Sequence, residues 1–180
     1  MGKRSNFERK KGDFSPTPFE PCAVLFPFLP PRTCFIEPCA GDGRMIEHFE
    51  SQGHNCIYAC DIDPQADGIE KRDVLTCFDG NLLSDGFMLP RCEMIITNPP
   101  WERAPLHAMI GAFTSHADTW LLFDADWKET LQAGPFGALC RDIVPVGRVS
   151  WEGNGVAGKE NSSWYRFSKK GHGTQFHFRA

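Results

Sequence analysis

The sequence predicts an α/β protein whose doubly wound, mostly parallel sheet of seven strands ends in an antiparallel hairpin. Two features of the sequence predict this architecture. Short apolar runs with β-branched or aromatic residues alternate with segments in which apolar residues recur at helical spacing. Glycines, prolines and acidic residues directly follow several of these runs, as they do at the carboxyl ends of strands in open α/β sheets.

The length of 180 residues fits one domain, which we expect over residues 14–180 after a mobile basic tail at residues 1–13. The hydrophobic fraction of 41% is ordinary for a globular protein, and no apolar run approaches the roughly 20 residues that span a bilayer. There is no charged-then-apolar leader that ends in a small-residue cleavage site. We therefore expect a cytoplasmic protein that does not associate with membranes.

The net charge of −4 is unevenly distributed along the chain. Residues 1–13 hold five Lys or Arg against two acidic residues, and residues 145–180 hold six against two. The middle of the chain therefore carries −11. A polyanionic partner would meet the two ends, although basic segments of this kind are often only solvated.

Eight cysteines could indicate disulfides or a metal site, but no Cys-x-x-Cys spacing occurs. Most of them, including Cys34, Cys56, Cys60 and Cys92, lie in or beside apolar runs. We therefore expect reduced, buried thiols that pack as small hydrophobic side chains, and no metal site.

The first predicted strand, residues 33–36, runs directly into the sequence Glu-Pro-Cys-Ala-Gly-Asp-Gly at residues 37–43. Its two glycines allow a tight turn and a close approach of the backbone to a ligand, which a Cβ atom would block. The third glycine of the dinucleotide-binding fingerprint is missing, because Ile46 stands in its place, and no Gly-Lys-Ser/Thr follows. These differences argue against NAD and nucleoside triphosphates as ligands.

This glycine turn resembles motif I of the class I S-adenosylmethionine-dependent methyltransferases, in which an acidic residue ends the first strand. The resemblance implies that Glu37 lies near the positively charged amino group of the cofactor. It also assigns Pro38, Gly41 and Gly43 to the cofactor-binding turn, with the glycines passing under the ribose and the methionine moiety. S-adenosyl-L-methionine is therefore the expected cofactor.

Two acidic residues further along the chain are candidates to bind the same cofactor. Asp61 follows the second predicted strand, residues 56–60, where an α/β fold grips two ribose hydroxyls with one carboxylate. Asp73 lies in a segment that resembles motif III, whose aspartate accepts a hydrogen bond from the cofactor adenine amine. The alternative for Asp73 is a surface aspartate in a turn.

Upstream of the first strand, Pro16 and Thr17 lie in the sequence Ser-Pro-Thr-Pro. This turn resembles the segment before the cofactor strand in many small bacterial and phage adenine methyltransferases, where it lies near the methionine end of the cofactor. The resemblance makes Pro16 and Thr17 cofactor-binding candidates. Thr17 is nearly as well explained as the cap of a helix that begins at Pro18 and that Pro21 and Pro27 could interrupt.

The sequence Thr-Asn-Pro-Pro-Trp at residues 97–101 follows an apolar run that predicts a buried fourth strand. Two successive prolines make a stiff turn, which aims the Asn98 side-chain carbonyl and the Pro99 backbone carbonyl at one point beside Trp101. Two acceptors and a flat apolar face suit a planar ring that carries an NH2 group. The tetrapeptide resembles motif IV of the amino-methyltransferases, which makes Asn98, Pro99, Pro100 and Trp101 the expected catalytic residues. The alternative is a proline turn with an incidental tryptophan.

Later strand ends supply three candidate substrate-binding residues. Asp126 and Trp127 follow the fifth predicted strand, residues 119–123, and could line the substrate pocket, although Asp126 could equally cap the following turn. In nucleic-acid amino-methyltransferases, the last hairpin supplies an aromatic residue that stacks on the opposite face of the extruded base. Trp164 has that place in this sequence, with an ordinary strand aromatic as the alternative.

The resemblance covers about residues 13–178 and implies the Rossmann-like methyltransferase fold. It implies an enzyme that methylates the exocyclic amine of adenine in DNA or RNA, in a single strand or on a flipped base. Because the chain has no room for an added recognition region, we expect short specificity, a structured RNA substrate, or a recognition partner or homo-oligomer. The alternatives are N-methylation of a protein glutamine or a small molecule, and a catalytically silent subunit that binds nucleic acid.

Overall fold

The computed structural model of the chain describes residues 16–78, 89–151 and 153–179. The predicted mobile tail at residues 1–13 and its boundary with the domain lie outside the described residues. The strands are β1 Cys34–Glu37, β2 Asn55–Asp61, β3 Glu70–Lys71, β4 Met94–Thr97, β5 Asp118–Asp124, β6 Cys140–Arg148, β7 Asn161–Phe167 and β8 Gln175–Phe176. The helices are α1 Phe19–Leu25, α2 Arg44–Glu50 and α3 Arg103–His116, with short 3-10 segments at Phe26–Phe28, Val74–Phe78, Ala125–Glu129 and Leu131–Phe136.

The described strands form one sheet in the order β3-β2-β1-β4-β5-β7-β6-β8. Strands β1 to β5 pair in parallel, whereas β7 is antiparallel to both β5 and β6. The predicted doubly wound, mostly parallel sheet with an antiparallel hairpin is therefore confirmed. The sheet has one strand more than the seven predicted, because β8 pairs in parallel with β6 beyond the hairpin.

Helices cover both faces of the sheet, and successive residues of the central strands alternate between the two faces. Ile95 of β4 packs on the side of α3, with Ile110 and Phe113, while Ile96 packs on the side of α1 and α2, with Phe49. These side chains are all fully buried. The central strands are thus covered on both faces, which fixes their register and the positions of their ends.

Helix α1 begins one residue later than predicted and ends just before Pro27, one of the two prolines expected to interrupt it. It begins after Pro18, and no side chain caps it, so the interpretation of Thr17 as a helix cap is wrong. Pro21 does not interrupt the helix, because it lies in the first turn, where the backbone N–H groups have no partner within the helix. The chain changes to a 3-10 segment at Phe26–Phe28, where Pro27 lacks the donor that a continuing α-helix needs.

All eight cysteines are free thiols, as predicted. Cys22, Cys60 and Cys140 are buried, whereas the other five are only partly buried. Burial raises the pKa of the Cys140 and Cys92 thiols to about 11, so both remain protonated at neutral pH. In the described parts of the chain, no helix combines the length and apolarity needed to cross a bilayer.

Candidate active site

The candidate site lies where β1 and β4 end side by side. The two strands are parallel neighbours, with Phe35 opposite Met94 and Ile36 opposite Ile95. Their carboxyl ends therefore reach the same edge of the sheet, which is the edge where open α/β folds bind ligands. The glycine turn after β1 and the Asn-Pro-Pro-Trp tetrapeptide after β4 are brought together by this pairing.

Glu37, the last residue of β1, is 1% exposed. Its Oε1 atom accepts a hydrogen bond from the Cys39 amide at 3.3 Å. Among the described residues, its Oε2 atom and the Thr97 hydroxyl oxygen are buried without a hydrogen-bond partner. Burial raises the pKa of the Glu37 carboxyl well above its usual value, and the Asp61 carboxylate adds to this rise. The Cys39 amide opposes it, as does the Thr97 hydroxyl, which is near the carboxyl but outside hydrogen-bond geometry. A buried carboxylate oxygen without a partner is costly, and a cationic ligand group would satisfy it.

The glycine turn depends on backbone conformations that favour glycine. Gly41 and Gly43 have positive φ angles of 54° and 78°, which a residue with a Cβ atom adopts only with strain. The Gly43 amide donates to the Ala40 carbonyl at 2.8 Å, which closes the turn before α2 begins. Pro38 is buried at the start of the turn, where its carbonyl accepts from the Cys60 thiol at 3.8 Å.

Asp61, at the end of β2, binds the glycine turn and so links that turn to β2. Its Oδ2 atom accepts a hydrogen bond from the Gly41 amide and its Oδ1 atom accepts one from the Asp63 amide, both at 2.8 Å. Each carboxylate oxygen keeps a second lone pair, so the group can also accept from a ligand. Asp61 therefore lies beside the glycine turn, as the sequence predicts for a residue that binds ribose hydroxyls.

Asp73 is exposed and starts the 3-10 segment Val74–Phe78. Its Oδ1 atom accepts a hydrogen bond from the Leu75 amide at 3.0 Å, and its carbonyl accepts from the Thr76 hydroxyl at 2.7 Å. Asp73 is therefore a surface aspartate in a turn, which the sequence analysis gave as the alternative to a cofactor-binding residue. Its predicted contact with the cofactor adenine remains a prediction.

The Asn98 side chain is held by one residue far upstream in the sequence and by one residue just downstream. Its Nδ2 atom donates to Oγ1 of Thr17 at 3.1 Å, and its Oδ1 atom accepts from the Trp101 indole Nε1 at 3.3 Å. The first of these bonds joins residues 81 positions apart, and Thr17 is only 6% exposed. These two bonds fix which end of the side-chain amide carries the oxygen and which carries the nitrogen. One lone pair of the oxygen remains available to a substrate donor. Pro16 and Pro100 are partly buried and Pro99 is buried beside them.

Trp101 meets a second tryptophan that the sequence prediction missed. The ring of Trp151, three residues beyond the end of β6, lies edge-to-face against Trp101 at a centroid distance of 5.9 Å. Both indoles are partly exposed. The signal that could have identified Trp151 is its place just after a strand and just before the glycine-rich loop of the hairpin.

Trp164 is not a substrate-stacking residue, so that prediction is wrong. Its side chain is fully buried on the face of the sheet covered by α1 and α2. Its indole Nε1 donates to the Pro21 carbonyl at 2.8 Å, which fastens α1 to β7. Since α1 begins two residues after Thr17, this bond helps to hold Thr17 against Asn98.

Trp127 is also buried, at 6% exposure. The prediction that it lines an open substrate pocket is therefore wrong. Its indole Nε1 donates to His107 at 3.1 Å, and its ring packs edge-to-face on Phe123. Asp126 is exposed at the end of β5, and its amide donates to the Asp124 carboxylate at 2.9 Å. Asp124, rather than Asp126, caps the turn, so the Asp126 carboxylate stays a candidate for substrate contact.

No protein-family model matches the sequence, and the comparison with curated proteins found no match. Solved structures do match. A putative RNA methyltransferase from Pyrococcus horikoshii aligns with 93% of this chain and 93% of its own, at a TM-score of 0.58 and 14% identity. A dimethyladenosine transferase from Plasmodium falciparum aligns with 87% of this chain and 63% of its own, at 0.55 and 13%. A putative hemolysin from Lactococcus lactis aligns with 88% and 91%, at 0.59 and 11%.

The chain has the Rossmann-like methyltransferase fold. At 11–14% identity, this likeness concerns the fold alone. The matching structures include proteins with different descriptions, a putative hemolysin and a putative RNA methyltransferase. Which cofactor and which substrate this methyltransferase fold serves must therefore be argued from its own residues.

A cavity of about 560 Å³ lies beside the glycine turn of this methyltransferase fold, between α2 and β2. Asp42 and Gly43 belong to its lining, whereas Glu37 and Asn98 do not. The connection from β2 to β3, residues 62–69, contains no helix that would cover this part of the sheet. The cavity thus adjoins the glycine turn, but neither Glu37 nor Asn98 lines it.

Replacing Asp61 by Asn should destabilise the glycine turn of the methyltransferase fold. Asn has one side-chain oxygen and an NH2 group where Asp61 has two acceptor oxygens, so either the Gly41 or the Asp63 amide loses its acceptor, at a cost of about 1–3 kcal/mol. We expect a melting temperature several degrees lower in a thermal unfolding scan. Asp63→Asn is the matched control, because that side chain is exposed, and it should leave the melting temperature unchanged. Equal melting temperatures for both variants would contradict the assigned role of Asp61.

Proposed function

We propose that this protein is an S-adenosylmethionine-dependent methyltransferase that acts on the exocyclic amine of adenine in DNA or RNA. The observation that carries the proposal is the position of Asn98. It ends a strand that neighbours the strand of the glycine turn, and its amide is oriented by Thr17 and Trp101. A site for an activated methyl group and a site for an aromatic amine thus share one edge of the sheet.

The residues after β1 and β2 fit S-adenosylmethionine chemically. The partnerless Oε2 atom of Glu37 offers a buried anionic acceptor for the amino group of the methionine moiety. The backbone of the glycine turn has no side chain at Gly41 or Gly43 to block a ribose, and the Asp61 carboxylate lies next to it with free lone pairs. The bound cofactor would supply a methyl group already activated by its sulfonium, so the protein needs no covalent intermediate.

The protein's task is to position a weak nucleophile. The exocyclic amine of adenine is conjugated with the ring, so its lone pair is poorly available. If the Asn98 Oδ1 atom and the Pro99 carbonyl accept its two hydrogens, the nitrogen becomes more tetrahedral and its lone pair turns toward the methyl group. Each such bond contributes only about 1 kcal/mol net, whereas correct positioning can contribute about 7–11 kcal/mol. Geometry at Asn98 is therefore the larger effect.

The two partly exposed indoles at this edge, Trp101 and Trp151, suit an unstacked base. A base inside a duplex cannot reach a pocket at the strand ends, so the substrate must be single-stranded or flipped out. Trp101 and Trp151 offer aromatic surface to such a base, and stacking on an aromatic side chain contributes about 1–3 kcal/mol per base. Trp151 takes the role that the sequence assigned to Trp164. Two structural neighbours, described as a putative RNA methyltransferase and a dimethyladenosine transferase, agree with a nucleic-acid substrate.

Replacing Trp151 by Ala should raise the KM for an adenine-containing oligonucleotide roughly 10-fold, because a stacking surface beside Trp101 is lost. The affinity for S-adenosylmethionine should stay within 2-fold of wild type, on the order of experimental error. Steady-state kinetics and calorimetry measure the two quantities. Trp151→Phe is the conservative control and should restore most of the loss. A Trp151→Ala variant with unchanged KM would remove Trp151 from the substrate site.

The proposed function is tested by incubating the protein with methyl-labelled S-adenosylmethionine and, in separate reactions, single-stranded DNA, RNA and a protein extract. Nucleoside analysis should find label in N6-methyladenosine or N6-methyldeoxyadenosine, which also shows which nucleic acid is the substrate. Label found only in protein or in small molecules would reject the adenine substrate in favour of another amine. Binding of nucleic acid without any transfer would identify a silent subunit instead.

A further inference from the structure

The C-terminal segment of the chain is fastened along the outer edge of the sheet and takes no part in the proposed chemistry. The buried Arg141 side chain donates to the Lys170 carbonyl at 2.6 Å. The His177 amide donates to the Ile143 carbonyl at 2.9 Å, and the His177 ring contacts the Asp142 carboxylate at 2.8 Å. The residues on either side of His177 are therefore held in a defined place.

Phe176 and Phe178 flank His177 at the outer edge of the sheet, where both are exposed. Alternate residues of an extended chain face opposite ways. The His177 ring contacts Phe28 on the α1 side of the sheet, so both phenylalanines lie on the other side of this edge. Phe176 is 46% exposed and Phe178 is 89% exposed, and their rings meet edge-to-face at 5.6 Å. A single exposed apolar side chain is ordinary, but two adjacent aromatic rings with no core to fill suggest a binding surface.

The segment that carries this aromatic pair is rich in basic residues. The last 20 residues of the chain contain four Lys or Arg and no Asp or Glu, although the whole chain carries −4. The Arg179 guanidinium lies over Gly147, where a Cβ atom would come within 2.5 Å of its Nη1 atom. Arg148, the next residue of β6, is exposed beside it. We call Arg148, Phe176, Phe178 and Arg179 the C-terminal strip.

The C-terminal strip leads toward the candidate active site. Strand β8 is parallel to β6, so the chain from Phe176 to Arg179 runs toward the end of β6 that precedes Trp151. Gly147, under Arg179, is four residues before Trp151, about 13 Å along an extended chain. Trp151 in turn contacts Trp101. Exposed aromatic and basic groups therefore continue from the edge of the sheet to the proposed base pocket.

We propose that the C-terminal strip binds the single-stranded nucleic acid that flanks the target adenine. Phe176 and Phe178 would stack on bases, and Arg148 and Arg179 would contact phosphates, which is how proteins bind single strands with little sequence preference. This inference rests on the proposed function. A second copy of the chain is a poorer occupant, because β8 has only two residues for edge pairing and the two basic strips would repel each other.

The test compares the Phe176→Ala/Phe178→Ala variant and the Arg148→Gln/Arg179→Gln variant with wild type. The probes are a fluorescent single-stranded 12-mer and a 3-mer, each with one central adenine, and anisotropy and methyl transfer are measured. Loss of two stacking rings should raise the dissociation constant and the KM for the 12-mer roughly 10-fold or more, and leave those for the 3-mer unchanged. The arginine variant should reduce the slope of log affinity against log salt by about 1 to 2.

The controls are Leu131→Ala, which removes a fully exposed apolar side chain, and Lys71→Gln, which removes a charge on the opposite edge of the sheet. Both should bind the 12-mer like wild type. The inference alone fails if wild type methylates the 12-mer and both variants do so with unchanged KM, or if they lose the 3-mer equally. A change confined to self-association in sedimentation would also overturn it. If wild type neither binds nor methylates any oligonucleotide, the proposed function itself fails.

Discussion

Replacing Asn98 by Ala should lower kcat for adenine methylation at least 100-fold while leaving the affinity for S-adenosylmethionine unchanged within about 3-fold. The loss is large because the Asn98 amide is held in one orientation by Thr17 and Trp101, and a misplacement of about 1 Å in a reacting group can cost on the order of 100-fold. The cofactor affinity is spared because the cofactor candidates Glu37, Gly41 and Asp61 belong to other strand ends. Single-turnover transfer and calorimetric titration measure the two effects separately.

The Thr17 side chain offers a matched control for the orientation of Asn98. Thr17→Val keeps the shape of the side chain but leaves the Asn98 Nδ2 atom without its acceptor, so kcat should fall roughly 5- to 10-fold. Thr17→Ser keeps the hydroxyl and should retain near wild-type activity. A Thr17→Val variant with full activity, or an Asn98→Ala variant that loses cofactor binding instead of kcat, would contradict the assignment of Asn98 to the target amine.

Replacing Glu37 by Gln should weaken S-adenosylmethionine binding roughly 10- to 100-fold, because a hydrogen bond to a charged group is replaced by a contact with a neutral amide. The wild-type affinity should also depend on pH. Burial raises the pKa of the unliganded Glu37 carboxyl, and the cationic ligand favours its ionised form, so binding strengthens as pH rises through that raised pKa and weakens as pH falls. The Glu37→Gln variant should lack this dependence in calorimetric titrations over the same pH series.

The same substitution should stabilise the unliganded protein at neutral pH. The folded-state pKa of Glu37 lies above its unfolded value near 4.5, so the wild type loses stability as pH rises from that value toward the raised pKa. An amide carries no charge to desolvate and can donate to the Thr97 hydroxyl. A gain of about 1 kcal/mol corresponds to a melting temperature roughly 2–4 °C higher.

Glu47→Gln provides the control for both effects, because Glu47 is an exposed carboxylate on α2. It should change neither the cofactor affinity nor the stability. A Glu37→Gln variant that binds the cofactor like wild type, or whose melting temperature follows that of wild type across pH, would show that Glu37 is not the buried acceptor described here.

The features that could be predicted from the sequence are those that a short continuous motif specifies. The glycine turn after β1, the Asp61 strand end and the proline turn at Asn98 each follow a short apolar run directly, so the pattern alone places them at one edge of a parallel sheet. Once the strand order is that of a doubly wound sheet, β1 and β4 are neighbours and the two turns meet.

The contacts that could not be predicted depend on distant residues or on strand register. Thr17 reaches Asn98 only because α1 packs on the sheet, and both positions appear in sequence as isolated turns. Which of Trp151 and Trp164 is exposed to a substrate depends on where the strands end and on how they are covered. Strand β7 lies between β5 and β6 and is covered on both faces, which buries Trp164. Strand β6 ends at Arg148, so Trp151 lies beyond the sheet.

Strand β8 was missed for a related reason. Its two residues are too few to show an alternating pattern, and its contacts with β6 include side-chain bonds of Arg141 and His177 that link residues far apart in sequence. The exposure of Phe176 and Phe178 follows from these contacts and not from any local propensity. Sequence patterns report burial on average, whereas an edge strand held by a few polar contacts can expose aromatic residues.

The most direct test of the account is the affinity of a bisubstrate compound in which the N6 atom of adenosine is linked by a short bridge to the sulfur position of an S-adenosylmethionine analogue. If the glycine turn and Asn98 open onto the same edge, this compound should bind at least 10-fold more tightly than the analogue alone, because one molecule fills both sites. Asn98→Ala should remove this advantage, and Glu37→Gln should weaken the binding of both compounds roughly 10- to 100-fold. A compound that binds no better than the analogue, with the same affinity in wild type and Asn98→Ala, would contradict the shared site.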